Sequence, residues 1–156
     1  MIRVQAEDFD VGRELEALSK GNLGVGGVSC FVGLVRDRAG GEAIEAMTLE
    51  HYPEMTERAL AGIEAEARER WALEEILIIH RYGRLQPGDR IVMVATASAH
   101  REAAIEACHF LIDWLKTKAP FWKREETPTG GQWVDARTSD DKAAGRWVEK
   151  DPDAAE

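Results

Sequence analysis

The chain has 156 residues, 44% of them hydrophobic and 31% charged, with a formal net charge of -9. That is enough for one soluble globular domain with a real core. The acidity argues against nucleic acid or an anionic membrane as the main partner, but leaves room for a small anion held by a local basic patch.

"MIRVQ" reads as a short strand. It lacks the apolar h-region of a secretory signal. No later run is long and apolar enough to span a bilayer, so a cytoplasmic protein is expected. In "EDFDVGRELEALSKGN", Asp10 caps a short helix whose Val11, Leu15 and Leu18 share a face. The valine-rich, glycine-studded segment from Val25 to Val35 reads as a strand with a bulge or close backbone contact at a glycine. "RDRAGGE" is a turn or mobile loop, "AIEAMTLEHY" alternates as a strand, and the strands on either side of the loop are expected to form a hairpin.

Pro53 suits the first turn of a helix running to Trp71, with Met55, Ala59, Leu60, Ile63 and Ala67 on one face. A strand is expected from about Ile76 to Tyr82, a turn over "RLQPGD" centred on Pro87 and Gly88, and a central strand over "RIVMVATASA". Next comes a helix with Ala104, Cys108, Leu111, Ile112 and Leu115 as its apolar stripe. It should stop at Ala119, because a residue before proline is disfavoured in α geometry. "FWKREETPTGGQWVDA" reads as two short strands around Pro128 to Gly131, and "SDDKAAGRWVEK" as a terminal helix. One domain over 1–150 with a disordered tail at 151–156 is expected. The order of elements is that of an α+β fold with a mixed or antiparallel sheet.

No HExxH, CxxC or phosphate-loop motif is present, and no two of the four histidines stand four residues apart, so no metal site is expected. Cys30 and Cys108 lie in apolar stretches and read as buried thiols of a reducing compartment. Positive candidates sit at the ends of elements. His100 and Arg101 open a helix, where free N–H groups favour an anion. Arg36 and Arg38 occupy a turn; an arginine fork suits carboxylate or phosphate, although most loop arginines face water.

"LKTKAPFWKRE" gathers Lys116, Lys118, Lys123 and Arg124 around an aromatic pair. The helix end accounts for Lys116 or Lys118, but not for Lys123, which lies beyond Pro120. In an extended segment Phe121 and Lys123 point one way, and Trp122 and Arg124 the other. Partial desolvation would lower the proton affinity of Lys123 toward the range useful for acid–base work.

"TLEHYPEMTERAL", "HRYGRLQPGD", "SAHREAAIEAC" and "LKTKAPFWKRE", in this order and with "GLVRD" and "WVDARTSD" in register, resemble the MoaE family, the large catalytic subunits of molybdopterin synthase. The resemblance runs from about Gly26 to Trp147. It implies an α/β hammerhead with an additional small antiparallel β subdomain. It also implies an enzyme that moves sulfur from the C-terminal thiocarboxylate of a small ubiquitin-like subunit to cyclic pyranopterin monophosphate, making the dithiolene of molybdopterin. A central homodimer with one small subunit at each end, a heterotetramer, goes with it; no cofactor is expected, and the chain needs no cysteine nucleophile of its own because the partner brings the sulfur. Carried over by position, Lys116 and Lys123 are the catalytic lysines. His100 and Arg101 bind the pterin phosphate, Arg36 is the arginine after the glycine-rich strand, and Arg137 is donated across the dimer. Leu34 stands where many members carry lysine. The alternative is a non-enzymatic module that holds a ubiquitin-like tail or a nucleotide in the same basic groove.

Overall fold

A computed structural model describes residues 1–135 and 137–148. The tail expected at 151–156 lies outside them. In chain order the elements are β1 (Ile2–Gln5), α1 (Val11–Ser19), β2 (Gly27–Leu34), β3 (Arg38–Ala39), β4 (Glu42–Ala43), β5 (Ala46–His51), α2 (Pro53–Arg70), β6 (Glu75–Arg81), β7 (Gly83–Leu85), β8 (Arg90–Ser98), α3 (Arg101–Lys118), β9 (Phe121–Thr127), β10 (Gly130–Val134) and α4 (Thr138–Gly145). Two four-stranded sheets result, ordered β1-β6-β8-β2 and β10-β9-β5-β7, with β3 and β4 as a small separate ladder. The first sheet is mixed, since β1 runs parallel to β6 while the other pairs are antiparallel; the second is antiparallel throughout. This is the expected α+β fold with a small antiparallel subdomain.

Period-two alternation sorts the central strands into two faces. Ile76, Ile78, Val92 and Val94 pack against Leu60, Ile63 and Ala67 of α2 and Phe110, Leu111 and Leu115 of α3. Leu77, Ile79, Met93 and Ala95 face the other way, onto Phe9 and the Val11–Leu15–Leu18 stripe of α1. Each of the larger aliphatic and aromatic side chains among them contributes about 1.5–3 kcal/mol through burial. Val35, Met47, Leu49 and Leu85 form a third cluster, joined by Ile91 and Phe121.

Local signals place the ends of several elements. The Asp10 carboxylate accepts from the backbone N–H of Arg13 at 2.9 Å and caps α1. Pro53 opens α2. Ala119 is extended before Pro120, with φ -77° and ψ 124°, and α3 stops there as expected. Gly26 lies so close to the carbonyl of Ala99 that a Cβ would stand 2.2 Å from its oxygen; only glycine fits.

Several expectations are corrected. The strands flanking "RDRAGGE" form no hairpin with each other. β2 pairs with β8 in the first sheet and β5 with β9 and β7 in the second, while the loop makes its own β3–β4 ladder. The anticipated bulge in β2 falls at Gly33/Leu34. "RLQPGD" is only partly a turn: Gly83–Leu85 is strand β7, and the turn is confined to Gln86–Asp89. Met55 is exposed, and Thr56 takes its place at the start of the buried face of α2. Cys108 is buried, but Cys30 is exposed, because β2 is an edge strand.

Candidate active site

The site forms where α3 hands over to β9. The chain leaves α3 at Lys118, turns at Ala119–Pro120 and enters the second sheet at Phe121. Register places Lys123 between Leu49 of β5 and Val134 of β10, and Arg124 between Thr48 and Trp133. Lys123 and Arg124 therefore lie on opposite faces of the sheet, as the extended reading requires.

Lys123 is partly buried, and burial is the main cause of its lowered proton affinity. Glu125, on the same face and itself buried, works in the other direction, while Arg137, Lys116 and Arg36 add to the lowering. These four cations, Arg36, Lys116, Lys123 and Arg137, thus share one electrostatic neighbourhood within a single chain. Arg36, Lys116 and Arg137 are exposed around the partly buried amine. Arg137 of the same chain is near enough to Lys123 to act on its charge.

Lys118 is drawn elsewhere. Its ammonium stands 3.6 Å from a Glu66 carboxylate oxygen and 3.8 Å from the centre of the Trp114 ring. Arg38 sits on the β3–β4 ladder. Beside Lys123, Phe121 stacks on His80 with ring centres 3.6 Å apart and planes 13° from parallel. His80 Nδ1 lies 2.8 Å from the carbonyl oxygen of Arg81, and since a carbonyl only accepts, the ring proton sits on Nδ1. Burial above all holds the His80 pKa down to about 4, so the imidazole is neutral at pH 7. His51 packs on Phe121 and Tyr82, with ring centres 5.7 and 4.8 Å away.

His100 and Arg101 are exposed at the other end of α3. Arg101 and Lys116 are fifteen residues apart on that helix, about 22 Å along its axis at 1.5 Å per residue. One chain therefore does not bring the His100–Arg101 pair together with the lysines. Cys30, though exposed, has its thiol pushed up by desolvation and is no activated nucleophile. Among the described residues, no three His, Cys, Asp or Glu side chains are grouped to hold a metal ion.

The family model described as "MoaE protein" matches residues 4–118. A "Molybdopterin synthase catalytic subunit" of Pseudomonas aeruginosa is 56% identical over 148 residues, covering 95% of this chain and 99% of that protein. This chain belongs to the MoaE family. A solved structure titled "Molybdopterin biosynthesis MoaE protein", from Burkholderia ambifaria, superposes with a TM-score of 0.82 at 52% identity, over 96% of this chain and 99% of that one. A complex of two subunits of molybdopterin-converting factor from Helicobacter pylori shares the fold, with a TM-score of 0.72 at 18% identity, over 87% of this chain and 91% of that one. As a MoaE-family member, the chain is the catalytic subunit of an enzyme, a transferase of molybdenum cofactor biosynthesis. No described helix is long and apolar enough to cross a membrane.

Within this MoaE-type site, sequence reasoning missed His51, His80 and Glu125. For Glu125 a signal existed, because it follows Phe121 and Lys123 at the same period of two. For His80 it was weaker: the residue shares a face with Ile76 and Ile78 in an otherwise apolar strand.

Proposed function

We propose that residues 1–150 act as one domain whose lysine cluster performs the sulfur transfer from a small subunit's C-terminal thiocarboxylate to cyclic pyranopterin monophosphate. The observation that supports this is Lys123. It is an amine with lowered proton affinity, partly buried among Arg36, Lys116 and Arg137. Both ligands are anions, and the cluster is their electrostatic complement in an otherwise acidic protein.

In each transfer, the thiocarboxylate sulfur forms a bond to a side-chain carbon of the pterin, and oxygen departs from that carbon with a proton. Water then cleaves the acyl–sulfur bond, leaving sulfur on the pterin and a carboxylate on the partner. Lys123 in its ammonium form supplies a proton to the departing oxygen more readily than an ordinary lysine, because its pKa is lowered. Lys116 steadies the negative charge of the tail. Arg36 and Arg137 add charge-assisted hydrogen bonds to the anions. The functional particle in this reading is a homodimer with one small ubiquitin-like subunit at each outer end.

The test is to incubate the protein with the cyclic pyranopterin and the thiocarboxylated small subunit and look for a fluorescent dithiolene-pterin derivative. Product is expected. Binding of both ligands without product would favour the non-enzymatic module.

His100 and Arg101 are assigned to the substrate phosphate, where a helix N-terminus and a guanidinium act together. Arg101→Ala is expected to weaken pterin binding at least about tenfold, roughly 1.4 kcal/mol, with affinity for the small subunit nearly intact. Calorimetry on both ligands measures this; unchanged pterin affinity would remove Arg101 from the site.

A further inference from the structure

We infer that His51 is a further catalytic residue of this site, the base that takes a proton from the water that cleaves the acyl–sulfur bond. This rests on the functional reading above, in which the hydrolytic water has no base.

The first argument is place. Register sets His51 opposite Phe121 and Leu49 opposite Lys123. With a period of two, His51, Phe121 and Lys123 then lie on one face of the second sheet. His51 and Lys123 are diagonal neighbours there, about 7–8 Å apart at the backbone and within reach of long side chains. The His51 ring packs against Tyr82 and Phe121, with ring centres 4.8 and 5.7 Å away. Positive charge on either His51 or Lys123 opposes protonation of His80, which stacks on the same Phe121 ring. The three groups therefore share one neighbourhood.

The second argument is the contrast between the two histidines. His80 is a structural ring. It is 5% exposed, lies flat on Phe121 and is tied through Nδ1 to the carbonyl of Arg81. His51 has no such tie. Its Nδ1 is sealed from solvent and has no hydrogen-bond partner among the described residues, while the residue as a whole is only partly buried. A native fold carries an unpaired buried nitrogen for a reason, and catalysis is one. With the ring proton on Nδ1, the lone pair of Nε2 is free, and Nε2 is the nitrogen through which the ring can meet a water.

The third argument is proton balance. The oxygen that departs from the pterin needs a donor, which is Lys123 as ammonium. The hydrolytic water needs an acceptor. Arg36, Lys116 and Arg137, the cations around Lys123, have no lone pair to offer; a neutral imidazole has one. The water oxygen bonds to the acyl carbon as Nε2 takes its proton. The carbon–sulfur bond then breaks, its electron pair stays on the sulfur of the pterin, and the tail leaves as a carboxylic acid that loses its proton to bulk water. The imidazolium passes its proton to the Lys123 amine left by the transfer and restores the ammonium for the second sulfur.

His51→Gln and His51→Phe test this; the second keeps a ring against Phe121 and Tyr82, and circular dichroism checks both folds. The bond between sulfur and pterin is expected to form at close to the wild-type rate, with hydrolysis about a hundredfold slower. The small subunit should accumulate as a conjugate with the pterin, seen by mass spectrometry and cleaved by hydroxylamine, as an acyl–sulfur bond is. Wild type should not accumulate it, and Lys123→Ala should be slow to form it. Either folded variant clearing the conjugate at the wild-type rate would overturn the role of His51 and leave the proton of the water to the neutral Lys123 amine. Slow product without conjugate would overturn it as well, because the loss would then precede hydrolysis. Wild type without product would count instead against the functional reading.

Discussion

Lys123→Ala is expected to slow sulfur transfer about a hundredfold or more while leaving the fold intact. The amine is held in a partly buried position on β9, where it fills no core space but carries a desolvation cost. Lys123→Arg is expected to be as slow as alanine, because guanidinium keeps the charge but cannot release a proton near neutral pH. Wild-type rates in the arginine variant would show that charge alone matters. The pH profile gives a second reading. Burial lowers the Lys123 pKa below the ordinary lysine value of 10.5. A proton donor with that shift gives a rate that falls as pH rises through the lowered value, and this descending limb should vanish in Lys123→Arg. Stability carries the opposite sign. Between the lowered folded pKa and 10.5 the unfolded chain binds more protons, so stability rises with pH across that window. Lys123→Met should therefore unfold at the wild-type temperature or above it at pH 7, which separates a catalytic loss from a folding defect.

The face on which Lys123 lies was legible because Pro120 ends α3 and the next residues alternate. Once the segment was extended, Phe121, Lys123 and Glu125 had to share one side, and the pairing with β5 and β10 bears this out. Caps and breakers were legible for the same reason: Asp10, Pro53 and Pro120 act through neighbours in the chain. Strand partners were not. Alternation shows that Val25–Val35 and "AIEAMTLEHY" are strands, but pairing is a long-range choice, and β8 offers β2 a longer apolar ladder than β5 could. The exposure of Cys30 follows from that choice and not from anything near it in sequence. The distance between His100–Arg101 and Lys116 was hidden differently. The resemblance places His100 and Arg101 in the site with the lysines, whereas the length of α3 separates them within one chain.

Lys116→Ala is the second change expected to slow transfer about a hundredfold or more. Its cause should differ from that of Lys123. Lys116 is exposed in the last turn of α3, where the helix dipole favours a cation and an incoming acidic tail can reach it. An ammonium there can hold the thiocarboxylate in line with the pterin and steady the negative charge that develops on the acyl oxygen when water attacks the thioester. Removal should therefore weaken binding of the thiocarboxylated small subunit as well as slow the reaction. The wild-type amine is also the group placed to capture a stalled acyl tail as an amide, visible by mass spectrometry as a covalent adduct that Lys116→Ala cannot form. Lys118 supplies the internal control. It lies only two residues away, but its ammonium is held by Glu66 and the Trp114 ring, so Lys118→Ala should transfer sulfur at close to the wild-type rate. If Lys118→Ala were the slow variant and Lys116→Ala the normal one, the tail would have to arrive on the α2 side of the helix, and the assignment of Lys116 would fall with the direction of entry.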